Sequence, residues 1–220
     1  MIVRNKNTKK ITEADLSNFL YKKKFIEIHN KNRKEPYKIK CCGKEVAPFI
    51  LDDFRQVPGL IEPIMLVTKK RPWQFDLTAR PIPKRQKAVI IELKKGRLQY
   101  KDLRQLLGYI NYFRKIQKYG GQEGLDHLSQ FFDIKITKRT KLEGILIGRR
   151  VNRDLLHYIP EEIWRFIHIC TFSVKTGKRA IREVRIKNKG QRYLAEQESK
   201  GKKLMKVWNP TIPYSDNKKS

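Results

Sequence analysis

Asp76, Glu92, Lys94, Gln105 and Tyr109 follow one another within the stretch QFDLTARPIPKRQKAVIIELKKGRLQYKDLRQLLGYINYF. A carboxylate stands inside one apolar, strand-like segment, an acid-x-lysine closes the next, and a Gln-x-x-x-Tyr pair follows on a helix-like segment. These residue types suit cleavage of a phosphodiester. The reaction needs an attacking hydroxide, a charge clamp on the phosphoryl oxygens and a stabilised leaving oxygen, and a divalent metal held by carboxylates supplies all three. Asp76 and Glu92 are the candidate ligands for Mg²⁺ or Mn²⁺ if neighbouring strands bring them together, and the backbone carbonyl of Leu93 is a natural third oxygen. Lys94 lies two residues beyond Glu92, on the same strand face, where an ammonium can orient water or stabilise charge on the phosphate. Gln105 and Tyr109 are one helical turn apart and can hold the lysine, the water or a DNA phosphate.

The elements that must position these groups are legible to different degrees. Residues 61–68, 73–79 and 87–94 read as consecutive strands, the last with the unbroken apolar run Ala88-Val89-Ile90-Ile91 of a buried central strand. Gly96 is expected to end it. From 99 to 117, Leu103, Leu106, Leu107, Ile110, Phe113 and Ile116 keep helical spacing. A Gly120-Gly121 break and a shorter helix around 125–131 follow, then a strand over 141–149 that arrives as a crossover connection requires. Upstream, Thr12 reads as the N-cap of a helix over 13–23, ahead of short β-prone pieces at 25–29 and 37–41. Downstream, Pro160 opens a helix to about residue 166, and 167–174 and 180–186 read as strand or hairpin material.

Charge points to the partner. Lys and Arg number 51 against 22 Asp and Glu in 220 residues, a formal charge of +29. Self-repulsion on this scale is tolerable mainly when a polyanion screens it, so nucleic acid is the first partner expected and an anionic membrane surface the second. Lys69, Lys70, Arg71, Lys84, Arg85, Arg149 and Arg150 are the clusters expected to form a broad cradle for a DNA backbone. No helix-turn-helix, zinc-finger or RNA-recognition signature supplies base readout. No run of about 18 apolar residues exists to span a bilayer, and the basic start lacks the apolar core of a signal peptide, so a cytoplasmic protein is expected. Cys41, Cys42 and Cys170 are too few for a four-thiolate site and form no disulfide framework.

At Phe75-Asp76-Leu77, Glu92-Leu93-Lys94 and Gln105-Leu106-Leu107-Gly108-Tyr109 the chain resembles the RecB-like and NucS-like branch of the PD-(D/E)xK nuclease superfamily. The resemblance covers about 61–149 well and 12–20 loosely. It implies an α/β restriction-endonuclease-like fold, a mixed central sheet flanked by helices, and an acidic residue on an early helix, for which Glu13 is the best match. No proline precedes Asp76, and the cysteine cluster of the family's iron–sulfur members is absent, which argues against an iron–sulfur exonuclease.

Acid-x-lysine alone carries little weight in so charged a chain, because Asp133-Ile-Lys135, Glu198-Ser-Lys200 and Asp216-Asn-Lys218 match it too. The first is the serious rival, its IKITK being β-prone, but no Gln-x-x-x-Tyr helix follows it. Glu13 has a competing role as a helix-capping acid. His29, His127, His157 and His168 show no metal spacing. The expectation is one nuclease domain over 12–186 with its core at 61–149, a basic arm over 1–11 and a basic tail over 187–220. It is expected to cleave DNA with Mg²⁺ or Mn²⁺, as an endonuclease rather than an exonuclease, alone, as a homodimer or within a larger DNA-processing complex. The rivals are a non-catalytic nucleic-acid-binding protein and a nuclease subunit of a transposition or restriction complex.

Overall fold

The computed structural model describes residues 11–30, 34–42, 75–82, 86–177, 180–202 and 204. The first helix, α1 (Glu13–Lys23), starts where Thr12 places it. The Thr12 hydroxyl accepts the Asp15 amide at 3.1 Å and the Asp15 carboxylate accepts the Thr12 amide at 2.9 Å, a reciprocal capping box. Asp15 therefore takes the capping role, and Glu13 is left for other work. Strands β1 (Phe25–His29), β2 (Lys34–Cys42), β3 (Leu77–Pro81) and β4 (Lys87–Leu98) follow, then helices α2 (Tyr100–Tyr119) and α3 (Gly121–Phe132). The chain continues through β5 (Lys141–Val151), the short helices α4 (Arg153–His157) and α5 (Glu161–Trp164), the hairpin β6 (Ile167–Thr176) and β7 (Ile181–Asn188), and α6 (Lys189–Ser199).

Among the described residues, seven strands run in chain order around a closed barrel. This corrects the expected open mixed sheet of restriction-endonuclease-like type. Closure comes from a short parallel ladder between β1 and β7, pairing Ile28 with Ile186 and His29 with Lys187. Accumulated strand twist carries the sheet round until its first and last strands meet. Those partners lie near opposite ends of the chain, so no local pattern announces the pairing. The crossover expected from the sequence is present: β4, α2, α3 and β5 form one unit whose two strands pair in parallel.

Two apolar clusters sit on opposite sides of the sheet. Val89, Ile91 and Leu93 of β4 point inward with Leu77, Ile145, Ile147 and Phe172, joined by Leu16 and Leu20 of α1. Ala88 and Ile90 point outward with Leu146 and Ile169, against Leu106, Ile110 and Phe113 of α2. A strand buried on both faces explains the unbroken apolar run. Gly144 on β5 lets α2 lie close, since a Cβ there would come within 2.6 Å of the Ile110 side chain.

Several boundaries differ from expectation. Gly96 does not end β4; the strand continues past it with a register shift between Lys94 and Arg97. Residues 187–199, read as part of a basic tail, hold the end of β7 and α6, whose Tyr193 is buried against Trp164. The expected strand over 61–68 lies outside the described residues. The β-prone IKITK segment is not a strand: Asp133 caps α3 in the left-handed conformation and 134–140 form a loop. Among the described residues, no helix is long and apolar enough to cross a membrane.

Candidate active site

Asp76 stands where the chain passes from one apolar cluster to the other. Phe75 before it enters the outer cluster, with ring centroids 6.0 Å from Tyr109, 6.0 Å from Phe113 and 5.3 Å from Phe131. Leu77 after it is fully buried in the barrel. With both neighbours anchored, the Asp76 carboxylate turns onto β4, where Oδ2 accepts the Leu93 amide at 2.6 Å. This bond extends the β3–β4 pairing, whose last register pair is Leu77 with Ile91. In a strand the amide and carbonyl of one residue face the same edge. The Leu93 carbonyl therefore faces the Asp76 side too.

Glu92 and Lys94 share the outward face of β4, as alternation requires. Glu92 is only 2% exposed and its Oε1 accepts from Lys94 Nζ at 2.7 Å. Its second oxygen, Oε2, is buried and has no hydrogen-bond partner. An unpaired carboxylate oxygen in a dry site is costly unless a proton or a cation meets it. Glu13 approaches from α1, its Oε1 accepting the Lys95 amide at 3.0 Å. On α2, Gln105 Nε2 donates to Tyr109 Oη at 2.7 Å.

The electrostatics tie these groups into one unit. Burial, then the Asp76 charge and more weakly Glu13, push Glu92 up from 4.5 to about 8 against the pull of Lys94. Burial raises Asp76 from 3.8 to about 6, with Glu13 adding to the rise and the Leu93 amide and Lys94 opposing it. Burial alone would lower the Lys94 ammonium, but Glu92, helped by Glu13 and Asp76, raises it. Burial and the fields of Glu92 and Asp76 raise the Tyr109 phenol, so it stays protonated. Three acids from three separate chain segments thus crowd one lysine at one place.

Among the described residues, no three Asp, Glu, His or Cys side chains are grouped so as to hold a metal. The set expected from the sequence uses only two side chains, Asp76 and Glu92, with the Leu93 carbonyl. An all-oxygen set containing a buried, unpartnered carboxylate oxygen fits a hard divalent cation.

The site opens into a cleft of about 1200 Å³ between β4, α2 and α5, with Glu13, Lys94 and Gln105 on its wall. Lys95, Arg97, Lys101, Arg104 and Arg114 line the same cleft, and none of them was singled out from the sequence. The signal was present: Lys101, Gln105 and Gly108, and Arg104, Leu107, Asn111 and Arg114, recur at three- and four-residue steps along the face of α2 that carries Gln105. Of the basic clusters expected from the sequence, Lys69, Lys70, Arg71, Lys84 and Arg85 lie outside the described residues. Arg149 and Arg150 line a second cleft. The rival Lys135 is exposed in the α3–β5 loop, and Asp133 faces Arg80 at 3.9 Å, so that motif makes no comparable cluster. Comparison with protein-family models, with curated proteins and with solved structures finds no match to this chain.

Proposed function

We propose that the chain is a metal-dependent nuclease that hydrolyses phosphodiester bonds in DNA. The observation that carries this reading is the acid pair of half-buried Asp76 and buried Glu92, with Glu92 Oε2 lacking a partner, packed behind Lys94 and Glu13, which line a cation-rich cleft. Asp76, Glu92 and the Leu93 carbonyl would hold Mg²⁺ or Mn²⁺, which when bound supplies Lewis acidity and lowers the pKa of its water. Lys94, kept cationic by the surrounding acids, would stabilise charge on the phosphate or orient the attacking water. Gln105 and Tyr109 form a neutral donor pair suited to a phosphate oxygen. The cations along α2 would seat the backbone, and the motif resemblance to PD-(D/E)xK nucleases points the same way.

A non-catalytic nucleic-acid-binding protein is the second reading, favoured by the Lys94–Glu92 ion pair, which occupies one oxygen of the central acid. One assay separates the two: purified protein on single-stranded, duplex, flap and junction DNA, with Mg²⁺ or Mn²⁺ and with EDTA. The nuclease reading expects metal-dependent cleavage of at least one substrate, reduced about 10³-fold or more in Glu92→Gln and Asp76→Asn with DNA affinity retained. Full activity in either variant sinks the assignment.

A further inference from the structure

The second cleft, about 670 Å³, is built almost entirely from residues the nuclease site does not use. Arg149 and Arg150 come from the end of β5, Arg153 from α4, and Lys189 and Arg192 from α6. Arg97 lines both this cleft and the first, so the two adjoin along β4. The register places Arg97 directly beside Arg150 across the β4–β5 ladder. Like charges in directly opposed positions destabilise a sheet. Among the described residues, Arg97, Arg149, Arg150 and Lys189 have no ion-pair partner. Among the described residues the one acid on the wall, Glu196, is taken by Arg153 at 3.4 Å and Arg192 at 3.2 Å. Four cations without ion pairs among the described residues, two of them in directly opposed positions, make a concave surface of unbalanced positive charge. Exposed fork-shaped guanidinium groups spread along a groove match a row of phosphates better than a single small anion.

We propose that this cleft holds a stretch of duplex DNA backbone flanking the scissile bond, with Arg97 bridging it to the candidate active site. The inference rests on the nuclease reading for the position of the scissile bond, but its binding component stands without it. The substrate is then a duplex long enough to reach both clefts, and the second cleft contributes affinity and register rather than chemistry.

The test is fluorescence anisotropy of a labelled duplex of roughly 20 base pairs, about two helical turns, titrated at several salt concentrations with EDTA present. The triple variant Arg149→Gln, Arg150→Gln, Lys189→Gln should lower the slope of log affinity against log salt by about 2–3. A control of equal charge change, Lys135→Gln, Lys138→Gln, Arg139→Gln in the α3–β5 loop, should lower it by less than about 1. Should the first triple not fold, Arg149→Gln alone, at an exposed position, should lower the slope by about 0.9. Equal losses in the two triples, or an unchanged slope in the first, overturn the proposal. So does loss of binding to anionic lipid vesicles with duplex affinity intact. Cleavage assayed separately with Mn²⁺ keeps the readings distinct: a slope loss without cleavage by the parent protein removes the nuclease reading alone.

Discussion

Two buried glutamates stand on adjacent strands, each against a lysine, and the protein treats them in opposite ways. Glu143 on β5 is 4% exposed and accepts from Lys87 Nζ at 2.5 Å and from His168 Nε2 at 3.3 Å. Burial opposes its charge, but the bonds from His168 and Lys87 outweigh that and hold its pKa below the ordinary glutamate value. Glu92 on β4 is 2% exposed and has Lys94 alone, with Asp76 and Glu13 crowding the same place, and its pKa rises to about 8. One site balances its charges internally and is complete. The other has surplus negative charge and an oxygen without a partner. A buried acid-lysine pair is therefore no sign of function by itself; excess like charge around it is the feature on which the proposed cation site rests.

The contrast is broken most severely by stability measurements on the two isosteric variants. Glu143→Gln leaves Lys87 and His168 facing a neutral amide and should cost about 3–5 kcal/mol at neutral pH, read from urea unfolding. Glu92→Gln should have the opposite sign in EDTA at pH 8, stabilising by on the order of a few kcal/mol, because it removes a carboxylate that is unfavourable when charged. The linkage signs differ as well. Glu92 and Asp76 bind protons more tightly folded than unfolded, so their contribution is full below about pH 4 and is lost as pH rises through about 6 and then about 8. Glu143 contributes above its unfolded pKa, and that contribution is lost as pH falls below about 4.5. A Glu92→Gln protein that still loses stability between pH 5 and 8 as steeply as the parent would rule out Glu92 as the group titrating there.

The smallest effect is expected at the competing sequence motif. Lys135→Ala should leave metal-dependent cleavage within about 3-fold of the parent, since an exposed loop lysine contributes little beyond its charge. A collapse of turnover with the fold intact would move the active site to that loop.

The candidate site was legible because its parts are local in sequence. Strand alternation puts Glu92 and Lys94 on one face, helical spacing puts Gln105 and Tyr109 on another, and Phe75 and Leu77 mark Asp76 as an acid held between apolar anchors. The barrel was not legible, because its closure depends on the short ladder joining Ile28 and His29 to Ile186 and Lys187. Gly96 misled because a glycine usually interrupts a strand, whereas here the register shift after Lys94 absorbs it. The pairing of Arg97 with Arg150 likewise exists only once β4 and β5 are in register. Two roles stay open to Glu13 in the sequence because helix capping and site chemistry both call for an acid; in the fold Asp15 makes the capping box and Glu13 accepts the Lys95 amide beside the candidate site.

In the proposed cation site of Asp76, Glu92 and Leu93, occupancy should be controlled by the Glu92 proton. Calorimetric titration with Mn²⁺, run on the parent, Glu92→Gln and Glu143→Gln proteins between pH 5.5 and 8.5, tests it directly. Binding to the parent should strengthen as pH rises through about 6 to 8, with proton release. Glu92→Gln should show no binding, and whatever Glu143→Gln protein remains folded should bind like the parent. A parent protein indifferent to Mn²⁺ across this range, or a Glu92→Gln variant that binds as tightly as the parent, would contradict this assignment.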